Sequence, residues 1–332
     1  MGIHGVFKSA ILVVAVTALC PGHAEAQCTT GTCDATYCEI NCPTSADIIL
    51  FGTLYRNGVK QNPGVCRFNS GGTFQDILDT GLTSADYRVR ADGAGATGGA
   101  DTVRLASPTS AETCGSSGGY NWTIKGELPA NSTFLFWGDV GADTIYLCDR
   151  ANPSASNCIV GGRADGRAGD DEVYGSTYGD QLWGSGGADR IYGRAGDDDI
   201  WGGDGNDLLD GYTGADELYG GAGMDYIDGG DQNDIIGGGD GDYDEGYGRA
   251  GCDIVDGGAG TGDLCHCGAT NTYGEGIAWQ YCEIVTNCPG CPSGKSDWLG
   301  DPFGGDYEPD SENPWHVDWH AECGVAGPVP GE

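Results

Sequence analysis

GRAGDDEVY (166–174), GSGGADRIY (184–192), GGDGNDLLD (202–210) and GGAGMDYID (220–228) are instances of one nine-residue unit. The unit recurs eleven times over 166–265, with one extra residue at Gly238. Its first position is Gly in all eleven copies, and its fourth is Gly in eight. The sixth is Asp in ten. The eighth is aliphatic in ten: Val173, Leu182, Ile191, Ile200, Leu209, Leu218, Ile227, Ile236, Val255 and Leu264. A fixed period of this kind marks an architecture of stacked repeats.

Positions 7 to 9 suffice for a short strand, whose side chains alternate between faces. The aliphatic eighth residue then points inward and its two neighbours point outward. The six preceding residues form a turn, where glycine permits a left-handed backbone. Two units complete one coil, so residues 18 apart stack. The sixth-position aspartates therefore repeat along each edge of the stack. Carboxylates at strand spacing repel one another when bare. A hard divalent cation between them removes that cost. Calcium accepts carboxylate and carbonyl oxygens in a flexible shell of roughly six to eight, whereas magnesium wants a tighter octahedron and holds its water. The competing reading is a glycine-rich solenoid with solvated acids and no metal.

The pattern G-G-x-G-x-D-x-U-x resembles the RTX, or haemolysin-type, calcium-binding repeat. The resemblance spans 100 of 332 residues. It implies a right-handed parallel β-roll, with calcium held between successive turns by sixth-position carboxylates and turn carbonyls. Carried over position by position, the implied ligands are Asp171, Asp180, Asp189, Asp198, Asp207, Asp216, Asp225, Asp234, Asp244 and Asp253. Upstream, GDVGADTIY (138–146) matches the unit fully and adds Asp143. Several calcium ions are expected. There are departures. Tyr178 and Gln232 replace Gly at the fourth position, and Gly246 stands where the core aliphatic belongs. The last unit has Gly262 at the sixth position, with Asp263 one place late. The ladder is therefore expected to weaken after Asp234 and to end near Asp253.

Composition supports a cation partner. The chain holds 63 Gly and 50 acidic against 15 basic residues, for a formal charge of −35. Such a balance excludes nucleic acid as a partner, because phosphate binding needs a basic surface. It also opposes compaction unless counter-ions bind. At the N-terminus, Lys8 precedes an apolar stretch over 10–19, and Ala24-Glu25-Ala26 is an A-x-A cleavage site. This reads as a signal peptide over 1–26 and predicts export to the cell exterior or surface. A lipoprotein reading at Cys20 is disfavoured by the bulky Leu19 before it. No later segment is apolar enough to span a membrane. RTX proteins of the toxin kind typically leave through a dedicated exporter that reads a C-terminal signal, so toxicity is not implied here. Of 16 cysteines, 15 follow the cleavage site. In an oxidising compartment most should form disulfides, with connectivity open.

The expected fold is all-β, a parallel β-roll of nonapeptide repeats between disulfide-rich caps. Residues 27–137 read as a cysteine-containing β region that resembles degenerate coils of the same solenoid. GGADTV (98–103) and SADIIL (45–50) keep the Asp-x-aliphatic core there. The roll is assigned to 138–265, and a cysteine-rich cap with an acidic tail to 266–332. The two ends share a motif, Tyr37-Cys38-Glu39-Ile40 and Tyr281-Cys282-Glu283-Ile284, each followed by Asn-Cys-Pro. Solenoid ends need caps, and these clusters are expected to staple them. Zinc at Cys288, Cys291, Cys265, His266 and Cys267 is the weaker reading in an exported chain. His316 and His320 read as a surface pair, since the Glu of H-E-x-x-H is absent. Asn121 and Asn131 head glycosylation sequons.

At the ninth position, Trp183, Trp201 and Tyr219 should form one outward ladder, with Tyr174 and Tyr192 on the opposite sheet. Packing between coils explains these rings more simply than a docking face for glycan or protein. The function expected is a non-enzymatic, calcium-stabilised structural or adhesive module with an unidentified extracellular protein or glycan partner. The alternative, a secreted hydrolase with its catalytic part in 27–165, finds no histidine, G-x-S-x-G, H-E-x-x-H or P-loop in that region. Ice binding would need regular Thr arrays, which positions 7 and 9 lack.

Overall fold

The computed structural model describes residues 27–42, 47–81, 83–91, 99–129, 132–148, 161–251 and 253–266, with the short strands Ile277–Ala278 and Ile284–Thr286. Among these residues there is no helix. The signal-peptide stretch, the Asn131 sequon, the C-terminal cysteine motif, the zinc cluster beyond His266 and the His316/His320 pair lie outside the described residues.

Two sheets, of eleven and fourteen strands, face each other across one apolar core. In the repeats the register advances by one coil per 18 residues: Leu182 pairs with Ile200 and Ile200 with Leu218 in the first sheet, Val173 with Ile191 and Ile191 with Leu209 in the second. All pairings here are parallel. The inward aliphatic residues, from Val173 through Val255, are fully buried. Each contributes roughly 1.5–3 kcal/mol of burial, which is what makes a glycine-rich coil stack at all.

The strands are longer than positions 7 to 9. Between Gln181 and Ala222 each runs six residues, taking in the first three positions of the next unit. The first-position Gly therefore faces the core beside the eighth-position aliphatic, as in Gln181–Gly186, where Leu182 and Gly184 are both buried. The turn proper is short.

The last units correct the sequence frame. Gly238 is not the extra residue; it takes the first position, against the Asp244 carboxylate. The insertion lies within the turn 241–243. A second insertion follows in 257–266. There the buried residue is Cys265, paired with Gly246, while Leu264 is only half-buried. The two enlarged turns stack: Asp242 Oδ1 accepts the Thr261 N–H at 2.9 Å and its hydroxyl at 3.0 Å. At Gly246 the missing side chain is replaced by Ile236 and Val255, which close on its Cβ position.

The same sheets continue upstream of the repeats. Tyr37–Asn41, Asp86–Arg90, Thr133–Val140 and Arg163–Ala168 pair in parallel in the first sheet. Asp47–Arg56, Thr102–Leu105 and Thr144–Tyr146 do so in the second. Longer connections carry antiparallel hairpins, including Val59–Asn69 against Asp47–Arg56 and Glu112–Ser117 against Tyr120–Lys125. The core here is aromatic, with Phe51, Tyr87, Phe134 and Phe136 buried together. Disulfides Cys28–Cys42 and Cys33–Cys38 staple the first antiparallel strand pair, and Cys66–Cys114 ties two hairpins. Cys148 and Cys265 are also disulfide-bonded.

Outside, the ninth-position rings stack coil upon coil. Trp183 and Trp201 lie 5.0 Å apart at 6°, and Tyr174 and Tyr192 5.0 Å apart at 16°. Tyr219 continues the first ladder and Tyr146 heads the second. Ring faces turned to one another are not presented to a ligand. Stacks of this kind contribute about 0.5–1.5 kcal/mol per pair. Trp201→Ser breaks two of them, so a loss of about 1–3 kcal/mol is expected in urea unfolding with calcium present.

Candidate metal centre

The sixth-position carboxylates form two columns, one along each sheet. That of the second sheet runs Asp47, Asp101, Asp143, Asp171, Asp189, Asp207, Asp225, Asp244 and Asp263; that of the first sheet runs Asp180, Asp198, Asp216, Asp234 and Asp253. Every one of these aspartates is buried. All eleven aspartates expected from sequence fall in the columns. Asp47, Asp101 and Asp263 join them. The first two head the Asp-x-aliphatic triplets of 45–50 and 98–103, and Asp263 takes the place that the nine-residue frame gave to Gly262. One column thus ends at Asp253 among the described residues, and the other reaches Asp263.

Within a column each carboxylate has two jobs. Its Oδ1 accepts the backbone N–H of the aspartate one coil earlier: Asp189 N–H to Asp207 at 2.8 Å, Asp207 N–H to Asp225 at 2.8 Å, Asp198 N–H to Asp216 at 2.8 Å. This side-chain staple fills the place of a ladder hydrogen bond where the strand has not yet begun. The other oxygen is the notable one. Oδ2 of Asp171, Asp189, Asp198, Asp207, Asp216, Asp225, Asp234, Asp244 and Asp253 is buried and receives no hydrogen bond. It points under the first-position glycine of its own unit, beside the carbonyl of the corresponding glycine one coil on. At Gly202, an added Cβ would run into both Asp207 Oδ2 and the Gly220 carbonyl. Glycine is thus required to keep open a small space lined by oxygen.

Burial pushes these carboxyls up, and neighbouring acids add to it. Asp189 and Asp244 reach about 6; Asp207, Asp216, Asp225 and Asp253 about 7; Asp171 about 8; Asp198 and Asp234 about 9. A buried anion with one donor and a carbonyl for a neighbour wants a proton or a cation. The donor set is hard oxygen throughout, which suits calcium or magnesium and not a thiolate- or imidazole-seeking metal. Among the described residues no three His, Cys, Asp or Glu side chains gather as a metal-holding group. Backbone carbonyls must therefore complete any shell, as they can for calcium.

Asp180 differs from the rest. Both of its oxygens are taken, by the Ser176 N–H and hydroxyl and by the Gly162 N–H at 2.6 Å. Its turn is the one with Tyr178 in place of the fourth-position glycine.

A family description of four copies of the RTX calcium-binding nonapeptide repeat matches twice, at residues 174–209 and 210–243. These are RTX repeats. No curated protein and no solved structure matches the chain. RTX repeats are calcium-binding modules, and the open carboxylate oxygens lie within and beyond the matched RTX segment, from Asp171 to Asp253.

The RTX turn gives a direct test of the glycine. Gly202→Ala should cost about 1–3 kcal/mol by crowding and weaken calcium binding, read by calorimetric titration. Gly186→Ala is the control, because its Cβ meets only the Arg167 carbonyl, at 3.4 Å. Equal behaviour of the two variants would remove the argument for an oxygen-lined space.

Proposed function

We propose that this chain is an exported, non-enzymatic structural or adhesive module whose RTX repeats fold on binding several calcium ions. The observation that carries this reading is the row of buried Oδ2 atoms without a donor. Asp171, Asp189, Asp198, Asp207, Asp216, Asp225, Asp234, Asp244 and Asp253 would hold the ions with turn carbonyls. Asp143 shares the column. Asp180 stands apart in this reading, because Ser176 and Gly162 already donate to both of its oxygens. A bound cation supplies the positive charge that the columns lack.

The signal-peptide reading of residues 1–26 supports placement outside the cell, where calcium is abundant. Low calcium inside the cell would leave the acidic repeats unfolded during export. Sites of the weak extracellular kind have dissociation constants on the order of 10⁻⁴–10⁻³ M. Filling one to about ten times that constant stabilises the fold by roughly 1.4 kcal/mol, and coupled coils make the response cooperative. The outer rings serve packing, and a protein or glycan partner would meet the charged surface around them.

Far-ultraviolet circular dichroism during a calcium titration, with magnesium as control, tests the reading. A cooperative gain of β signal with calcium alone is expected. Full β structure in excess chelator, unchanged by calcium, would overturn it.

A further inference from the structure

Each aspartate column begins on groups that belong to the protein itself. The column of the first sheet stops at Asp180, whose oxygens are filled by Ser176 and Gly162. At the same level in earlier coils the register places Gly162, Phe134, Tyr87 and Cys38. The Phe134 ring closes on the Cβ position of Gly162. Here the carboxylates have been replaced by an aromatic core.

The column of the second sheet runs further, to Asp47, with no coil before it among the described residues. There Arg67, from the adjacent antiparallel strand Val59–Asn69, meets it. Arg67 Nη1 donates to Asp47 Oδ2 at 2.7 Å and Nε to Asp76 Oδ1 at 2.9 Å. Asp76 Oδ2 also accepts the Cys28 N–H at 3.0 Å. All three side chains are at most a tenth exposed. A guanidinium is a permanent cation with a rigid fork of donors, suited to holding two carboxylates out of water. Beside it lie the disulfides Cys28–Cys42 and Cys66–Cys114.

We propose that Arg67 is a built-in cation at the head of the second-sheet column, and that it lets the upstream coils stand without metal as the template on which the calcium-dependent coils assemble. The inference rests on the reading that the repeats need calcium, and it adds where ordering starts and what residue makes the start possible. Ordering would run from the upstream coils toward Asp253, each new coil stapling the last through its Oδ1.

Hydrogen exchange on the full chain, read by mass spectrometry with and without chelator, tests this. In chelator, Asp47–Arg56, Asp86–Arg90 and Thr133–Val140 should stay protected, while the strands from Gln181 to Asp256 exchange freely. Calcium should protect both. Arg67→Met should strip protection from Asp47–Arg56 in chelator and raise the calcium midpoint of the repeats by about tenfold or more, because a broken buried pair leaves uncompensated charge. Combining it with Asp47→Asn and Asp76→Asn should restore most of the loss, and Arg67→Lys part of it. Loss of both regions together in chelator would overturn the template. So would full protection of Asp47–Arg56 in the Arg67→Met chain. Repeats that stay protected in chelator would instead sink the calcium reading itself, with the role of Arg67 still read from its variants.

Discussion

Stripped of calcium, the repeats should be most stable in acid and should lose stability as the pH rises toward 9. The sign follows from the columns. A carboxyl whose folded pKa is raised above its unfolded value near 4 contributes stability that is complete below that value and is lost as the pH climbs through the folded one. Here the folded values run from about 6 at Asp189 to about 9 at Asp234. A carboxyl moved from about 4 to about 7, as at Asp207 or Asp225, represents about 4 kcal/mol between the two limits, at about 1.36 kcal/mol per unit. Neighbouring members of a column are coupled, so the effects do not simply add. Circular dichroism of the chelated chain between pH 4.5 and 9 should show the repeats ordered in acid and losing β signal as the pH climbs, until near neutrality and above they are unfolded without calcium. With saturating calcium the loss should vanish across neutral pH. A chelated β signal that stayed level or rose between pH 5 and 8 would contradict burial of bare carboxylates.

Asp207→Asn and Asp207→Ala should part company, and their order should depend on calcium. The Ala variant removes the acceptor for the Asp189 N–H, now at 2.8 Å, and empties the space under Gly202. An orphaned buried donor costs about 1–3 kcal/mol with or without metal. Asn keeps an oxygen for that N–H. It also turns an amide toward the Gly220 carbonyl, where the wild type sets an anion against a carbonyl oxygen. In chelator the Asn variant should therefore keep its fold to higher pH than wild type, because one raised carboxyl no longer has to ionise in the folded state. In millimolar calcium it should be less stable, because one charged ligand has gone. Urea midpoints in calcium, and the pH at which the β signal is lost in chelator, check this. An Asn variant weaker than wild type in both would show that Oδ2 is not the site of the missing charge.

The reach of the sequence can be followed residue by residue. Val173, Leu182 and Ile191 announced an inward column by recurring every ninth place, and the structure buries each of them completely. Trp183, Trp201 and Tyr219 announced a ladder in the same way, and they stack. Period is a local property, and in a parallel stack it converts directly into vertical contact. Where the period slips, the reading slips with it. The residues 238–247 and 257–266 each hold ten, and counting by nines put Leu264 in the core and Asp263 out of line. Only the pairing of Gly246 with Cys265 reveals that one bulge sits on another.

By itself, then, the sequence determined that this chain stacks in parallel, which side chains face inward, and that acids would stand above acids on both edges. Those facts follow from spacing along one chain. Tertiary structure decided what the acids do. It gave Oδ1 to the preceding coil, left Oδ2 beside a glycine carbonyl, closed Asp180 with Ser176, and set Arg67 against Asp47. A carboxylate's two oxygens are identical in sequence. They become different only when the preceding coil, 18 residues away, bonds one and leaves the other, and at Asp47 a hairpin arginine, 20 residues away, takes the one left over.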